Sequence, residues 1–295
     1  MRYAKLTGQD ETDSTLGKPL VALRKDALKD EKNWLPVLLL NATSVTTGRR
    51  IVTTDIDTLL WQNGKVTSRV FTDAYDLHEL FRHLINPSDI YAPATPSLEN
   101  RDVRLSTAAS ISARFPIISP QGNLRDADGR VIDRVVDGGY FENFGASTAT
   151  EIAGELTRLG LKPFIILVNN EPTTSGIACI AGDSDSTLSY PTTAQAAWFA
   201  WLRAPLNAVL ATRQARGSYA AANLCSWISD QARFAFISVG LDATNPNKAL
   251  SMSWWLSKNV QKYLNEQLDI DVYKGPHNAS AFRKINAARK TSQRL

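Results

Sequence analysis

Two uninterrupted apolar runs, Trp34-Leu35-Pro36-Val37-Leu38-Leu39-Leu40-Asn41 and Pro163-Phe164-Ile165-Ile166-Leu167-Val168-Asn169-Asn170, constrain the fold of this chain more than any other feature. A strand with one wet face alternates apolar and polar residues, whereas a run without alternation needs apolar neighbours on both faces. Ala146 to Leu159 has a helical pattern with Gly160 as its C-terminal stop. The run Val131 to Val136, this helix and the second apolar run therefore predict a parallel strand–helix–strand unit. The expected class is α/β, with a mainly parallel central sheet in a three-layer α/β/α arrangement.

Arg50 to Ile56 is a β-branched strand joined to the first run through a turn at Thr46-Thr47-Gly48. Residues 74 to 85 form an amphipathic helix, and Pro87 to Pro96 a loop. Glu171 to Tyr190 reads as a surface loop, Thr193 to Gly217 as a long helix and Arg233 to Val239 as a strand. Asp242 to Asn247 is a turn, and Ser251 to Leu268 a helix that begins near Trp254, Trp255 and Leu256. Trp198, Phe199, Trp201 and Leu202 serve either as ordinary core or as the lining of a lipid-facing cleft. Residues 1–32 are polar and expected to be loosely ordered, apart from a short charged helix near Leu20 to Lys29. With no repeat and no linker, residues 33–295 are expected to belong to one domain.

Charge and cysteine usage narrow the function classes. Thirty-three basic against twenty-nine acidic residues leave a net charge of +4 without a polybasic block, which gives no indication of a nucleic-acid partner. Arg283, Lys284, Arg289, Lys290 and Arg294 make the C-terminal helix locally basic, suited either to solvent or to peripheral contact with an anionic membrane. Cys179 and Cys225 are too few for a disulfide scaffold and lack metal-ligand spacing, so no metal and no cofactor are expected; the two pair if the fold brings them together, and without a signal peptide reduced thiols are the default expectation. The first residues contain no apolar signal-peptide core, and no apolar run reaches the length of a membrane span. The default location is cytoplasmic or peripheral to a membrane.

The candidate for chemistry is Asp137-Gly138-Gly139-Tyr140-Phe141-Glu142-Asn143-Phe144-Gly145. Adjacent glycines allow positive φ and close approach, so Asp137 can be held at a strand end and aimed into a cleft. The same residues also make an ordinary turn, in which Asp and Gly are favoured for local reasons. Glu142 and Asn143 are near enough to orient Asp137, or to cap the next helix. His78 and His83 on an amphipathic stretch and His277 in a polar loop are expected to be solvated surface residues.

Leu105-Ser106-Thr107-Ala108-Ala109-Ser110-Ile111-Ser112-Ala113-Arg114-Phe115-Pro116, Asn41-Ala42-Thr43 with Gly48-Arg49-Arg50, and the Asp-Gly-Gly segment together resemble the patatin-like phospholipases, with a weaker match at Trp254-Trp255-Leu256-Ser257. The resemblance covers roughly residues 34 to 265 and is best from Ser106 to Gly145. It implies lipid acyl hydrolysis of fatty-acyl esters by a Ser-Asp dyad, with Asp137 as base, Gly138, Gly139 and Asn143 as its supporting turn, and no imidazole between the partners.

The chain departs from that family at the nucleophile. No glycine begins a Gly-x-Ser-x-Gly elbow, and the glycine-rich oxyanion loop is missing too. In the family both precede the matching segment, so the chain resembles the C-terminal part of such a domain, lacking its N-terminal strands. Ser110, Ser112 and Ser147 each have a structural reading, in helix packing or in a helix first turn, and the nucleophile is left unassigned. The alternatives are a catalytically inactive lipid-binding or interaction module, and a gene fragment without independent function.

Overall fold

A computed structural model describes residues 15–29, 35–62, 65–85, 102–114, 119–126, 128–169, 200–228, 230–238, 258, 261–262, 265 and 276–292. The fold is mixed α/β and divides into two compact units, Met1–Thr148 and Ala149–Leu295. The expected loops at 87–96, 171–190 and 242–247 lie outside the described residues, as do Trp198, Phe199, Trp254 and Trp255.

The first unit is built on a hairpin. Strands β1 (Leu39–Ser44) and β2 (Arg50–Thr54) pair antiparallel, from Leu39 opposite Thr54 to Thr43 opposite Arg50. The turn between them closes through Gly48 N–H donating to Ser44 O at 2.9 Å, with Gly48 at φ +69°. Strands β3 (Leu59–Gln62) and β4 (Lys65–Arg69) form a separate ribbon. Next come β5 (Ala74–Asp76), helix α2 (Leu77–Ile85), helix α3 (Leu105–Ser112), β6 (Gly122–Arg125) and β7 (Val131–Asp137). They follow the α1 helix at Leu20–Leu28.

The five-stranded sheet runs β5-β2-β1-β7-β6 and is mainly antiparallel, which corrects the sequence expectation. Only β2 and β5 pair parallel within it; β1 pairs antiparallel with β2 and β7, and β6 with β7. A hairpin turn returns the chain beside β1, leaving the other edge of β1 to β7. Side chains alternate across the sheet. Ala42, Ile51, Leu124 and Val135 join Leu77 of α2 and Ile111 of α3 in one apolar core, with Leu80, Phe81 and Val103 packed against it. Arg50 and Val52 fall on the other side of β2 and are buried as well.

The first apolar run forms less strand than its pattern suggests, because the ladder begins only at Leu39. Upstream, Leu35 O accepts from Arg24 Nη1 at 2.7 Å, Pro36 has no N–H, and Leu38 N–H donates to Asp55 at 3.2 Å. The segment holding α1 is docked from Thr15 onward rather than loose. Leu20 and Val21 are buried, and the Asp102 carboxylate accepts the amides of Val21 and Ala22 at 3.0 and 2.9 Å, capping α1 from a distant part of the chain. Arg24 forks onto one oxygen of Asp55 at 2.9 Å from Nε and 2.6 Å from Nη2.

The second unit contains most of α4 (Ala146–Arg158), β8 (Ile165–Asn169), α5 (Ala200–Trp227), β9 (Phe234–Ser238) and α6 (Pro276–Ser292). Helix α4 stops as its sequence specifies. Gly160 takes φ +80°, its N–H reaches Thr157 O at 2.9 Å, and Leu161 N–H reaches Leu156 O at 2.9 Å. Strand β8 pairs parallel with β9 in this unit, whereas β7 pairs with β1 and β6, so the expected β7–α4–β8 pairing is not formed. Among the described residues of β8, Leu167 is buried, while Ile166 and Val168 are 47% and 57% exposed. Ala235 and Ile237 of β9 pack with Ala281, Phe282 and Ile285 of α6. Cys225, buried on α5 beside Leu224, is disulfide-bonded rather than a reduced thiol.

The Arg24–Asp55 pair ties α1 to the end of β2, with the Asp55 side chain fully buried. Removing one partner strands the other charge in a low-dielectric setting. Asp55→Ala is therefore expected to destabilise the first unit by about 3–5 kcal/mol, measured by urea unfolding, and Asp102→Ala by about 1 kcal/mol through loss of the cap.

Candidate functional site

Asp137 ends β7 opposite Ala42 of β1, and the chain turns there into a short 3₁₀ helix, Gly138–Tyr140. The Asp137 carboxylate caps that helix, with Oδ1 accepting the Gly139 amide at 2.6 Å. Its backbone is held on both sides: Asp137 N–H donates to Arg114 O at 3.1 Å, and Asp137 O accepts the Thr43 hydroxyl at 3.0 Å. Asp137 thus stands at a strand end on a glycine turn.

Gly138 is required by space rather than by a positive φ. The positive-φ glycines among the described residues are Gly48, Gly129, Gly145 and Gly160. A Cβ on Gly138 would stand 2.5 Å from Asn41 O and 2.8 Å from Asn41 C. Backbone cannot yield as a flexible side chain can, so the turn lies on β1 only because residue 138 has no side chain.

Asn41 anchors this contact from below. Its carbonyl accepts the Ser112 hydroxyl of α3 at 2.7 Å, and its Oδ1 accepts the Thr148 hydroxyl of α4 at 2.8 Å. Thr148 in turn accepts from Arg50 Nη1 at 2.7 Å, and the Arg50 guanidinium lies over the Phe141 ring, 5.4 Å from its centroid. Two strands, two helices and the turn thus meet in one partly buried polar chain. Asn41 and Arg50 were legible only as motif residues; a polar side chain ending an apolar run, and a cation in a β-branched strand, were the signals of this network.

Glu142 takes the capping role. It is buried, with Oε2 accepting the Phe144 amide at 3.1 Å and Oε1 the Ser147 amide at 3.2 Å, at the start of α4. Burial holds its carboxyl above the ordinary value of 4.5, against the opposing pull of the Ser147 and Phe144 amides and the nearby Arg50 charge. Asn143 is half-buried on the same loop. Asp133, on β7, fixes the β1–β2 turn by accepting from the Ser44 hydroxyl and from the amide and hydroxyl of Thr46. Partial burial opposes its ionisation, but these bonds, led by that from Ser44, prevail and hold it below its ordinary 3.8.

Of the three candidate serines, Ser112 and Ser147 have structural occupations, whereas Ser110 does not pack as its sequence reading expects. Ser112 bonds to Asn41, Ser147 lies in the first turn of α4, and Ser110 is exposed on α3. His78 corrects the expectation of a surface histidine: it is buried, with Nε2 2.9 Å from Thr54 O. The side chains of His83 and His277 lie outside the described residues. Among the described residues no group of three or more His, Cys, Asp or Glu could hold a metal ion, and no helix is long and apolar enough to cross a membrane.

Gly138→Ala is expected to cost about 1–3 kcal/mol in chemical unfolding, while Gly48→Ala, at a turn with open space around it, pays only its φ strain of about 1 kcal/mol. The two carboxylates should act oppositely with pH. Glu142 binds its proton more tightly folded than unfolded, so its contribution is fully present below pH 4.5 and is lost as pH rises through its raised value. Asp133 contributes above 3.8 and loses its contribution as pH falls through its lowered value. Stability–pH curves of Glu142→Gln and Asp133→Asn, each subtracted from the parent, should therefore slope in opposite directions. Against known proteins, no protein-family model matches the chain, and a search of curated proteins returns no match.

Proposed function

We propose that this chain is the aspartate-bearing part of a patatin-like serine acyl hydrolase acting on fatty-acyl esters, within a three-layer fold of that kind. The observation that carries the proposal is the seating of Asp137: a carboxylate fixed by the Gly139 amide at a strand end, on a turn that Gly138 allows to lie against Asn41. A base in a two-residue dyad must be pre-aimed, since no imidazole adjusts its geometry.

In the proposed reaction Asp137 takes the proton of a serine hydroxyl as the serine oxygen attacks the ester carbonyl. The alcohol leaves with the proton that Asp137 hands on to it, and water, deprotonated by the same carboxylate, then attacks the acyl-serine, releasing the fatty acid as the serine oxygen takes that proton back. Backbone donors for the tetrahedral oxyanion contribute about 3–4 kcal/mol each in acyl hydrolases. The sequence holds no Gly-x-Ser-x-Gly elbow, so the proposal assigns the serine and the oxyanion loop to a segment outside these 295 residues. That absence also favours a second reading, a lipid-binding module without chemistry, in which Asp137→Asn leaves lipid binding and every activity unchanged.

Intact-mass analysis after exposure to a lipid-like fluorophosphonate tests the assignment, on the chain alone and on the chain joined to the protein segment encoded directly upstream. The expected result is no adduct on the folded chain alone and one serine adduct on the joined protein, lost in Asp137→Asn. An adduct on the joined protein that persists in Asp137→Asn would remove Asp137 from the dyad. No adduct on either protein would favour the binding module.

A further inference from the structure

We propose that the outward face of α6 is a docking surface for anionic lipid headgroups. This inference goes beyond the reading of Asp137 and stands whether or not the chain belongs to an ester hydrolase. Helix α6 carries four basic residues, Arg283, Lys284, Arg289 and Lys290, and no acidic residue in its 17 positions.

The rotation of the helix is fixed by its packing. Ala281 is buried, and Phe282 and Ile285 lie against the core formed with Ala235 and Ile237 of β9. Lys284 reaches back along the same side, its Nζ donating to Phe234 O at 3.0 Å. With that side held, Arg283, Ala287 and Lys290 follow one another at i, i+4 and i+7, all exposed, while Arg289, exposed as well, follows Phe282 and Ile285 along their own stripe. The result is a pair of cations, Arg283 and Lys290, on one side of the helix, with the small side chain of Ala287 between them.

The chemistry of this face selects its partner. A protein interface has an apolar centre, and the large apolar residues of α6, Phe282 and Ile285, already lie against the β9 core. A single-stranded nucleic acid wants aromatic platforms for its bases, and the outward row has none. A leaflet containing acidic headgroups asks only for positive charge spread over a flat face, and each Lys or Arg near such a surface strengthens binding by about fivefold. Because Ala287 adds only a methyl group to this row, contact stays at headgroup level and is screened by salt.

The test is co-sedimentation of the chain with phosphatidylcholine vesicles, with and without phosphatidylglycerol, at low and high salt. Binding is expected only to the anionic vesicles, with at least about a tenfold loss in the double variant Arg283→Glu/Lys290→Glu and a similar loss at high salt. Both residues lie outside the core, and circular dichroism melting verifies the fold; the Gln/Gln variant replaces the charge reversal if that fold is lost. Equal binding to neutral vesicles, no binding to anionic ones, or binding unchanged in the charge variants would overturn the proposal. So would a single-stranded RNA that binds more tightly than the vesicles and depends on the same two residues.

Discussion

The contact on which the first unit depends is the approach of Gly138 to the backbone of Asn41. Strand β7 must end beside β1, and its chain must then turn across β1 to begin α4. A side chain at residue 138 would hold that turn away from the strand, since its Cβ would fall 2.5 Å from a carbonyl oxygen. With glycine there, the 3₁₀ turn settles on the sheet and the Gly139 amide comes to the Asp137 carboxylate. The position of a charged group is thus set by an absent one.

Close approach of backbone to backbone brings buried polar groups together, and each needs a partner. The network from Arg50 through Thr148 to Asn41, with Ser112 on the Asn41 carbonyl, meets that need with side chains from β1, β2, α3 and α4. Glu142 does the same for the amides that open α4. Such a network specifies one arrangement because losing a member leaves another unsatisfied, and it ties the rigidity of the turn to the whole sheet.

The two faces of the sheet divide the labour. Helices α2 and α3 meet Ala42, Ile51, Leu124 and Val135 through apolar contact, which stabilises without fixing orientation closely. On the other side Arg50 is committed to hydrogen bonds and a ring contact, which do fix orientation. In the second unit, α6 shows a simpler division: Phe282 and Ile285 lie against the β9 core, and Arg283 and Lys290 face outward.

Local chemistry made several features legible in the sequence. The hairpin at Gly48, the end of α4 at Gly160, the helices α1 and α3, and Asp137 at a strand end all follow from residues within a few positions of one another. Strand partners were not legible in this way, because an apolar run states that it will be covered but not by what. The first run gave up its leading residues to Arg24 and Asp55, and β8 paired with β9 rather than with β7. His78 became a core residue because α2 turned it toward Thr54, a residue 24 positions away. The sequence by itself determined which segments turn, coil or extend and where a carboxylate meets two glycines. Only the tertiary structure decided why the first of those glycines must be glycine, since the atom that forbids a side chain there lies 97 residues earlier, on the Asn41 carbonyl.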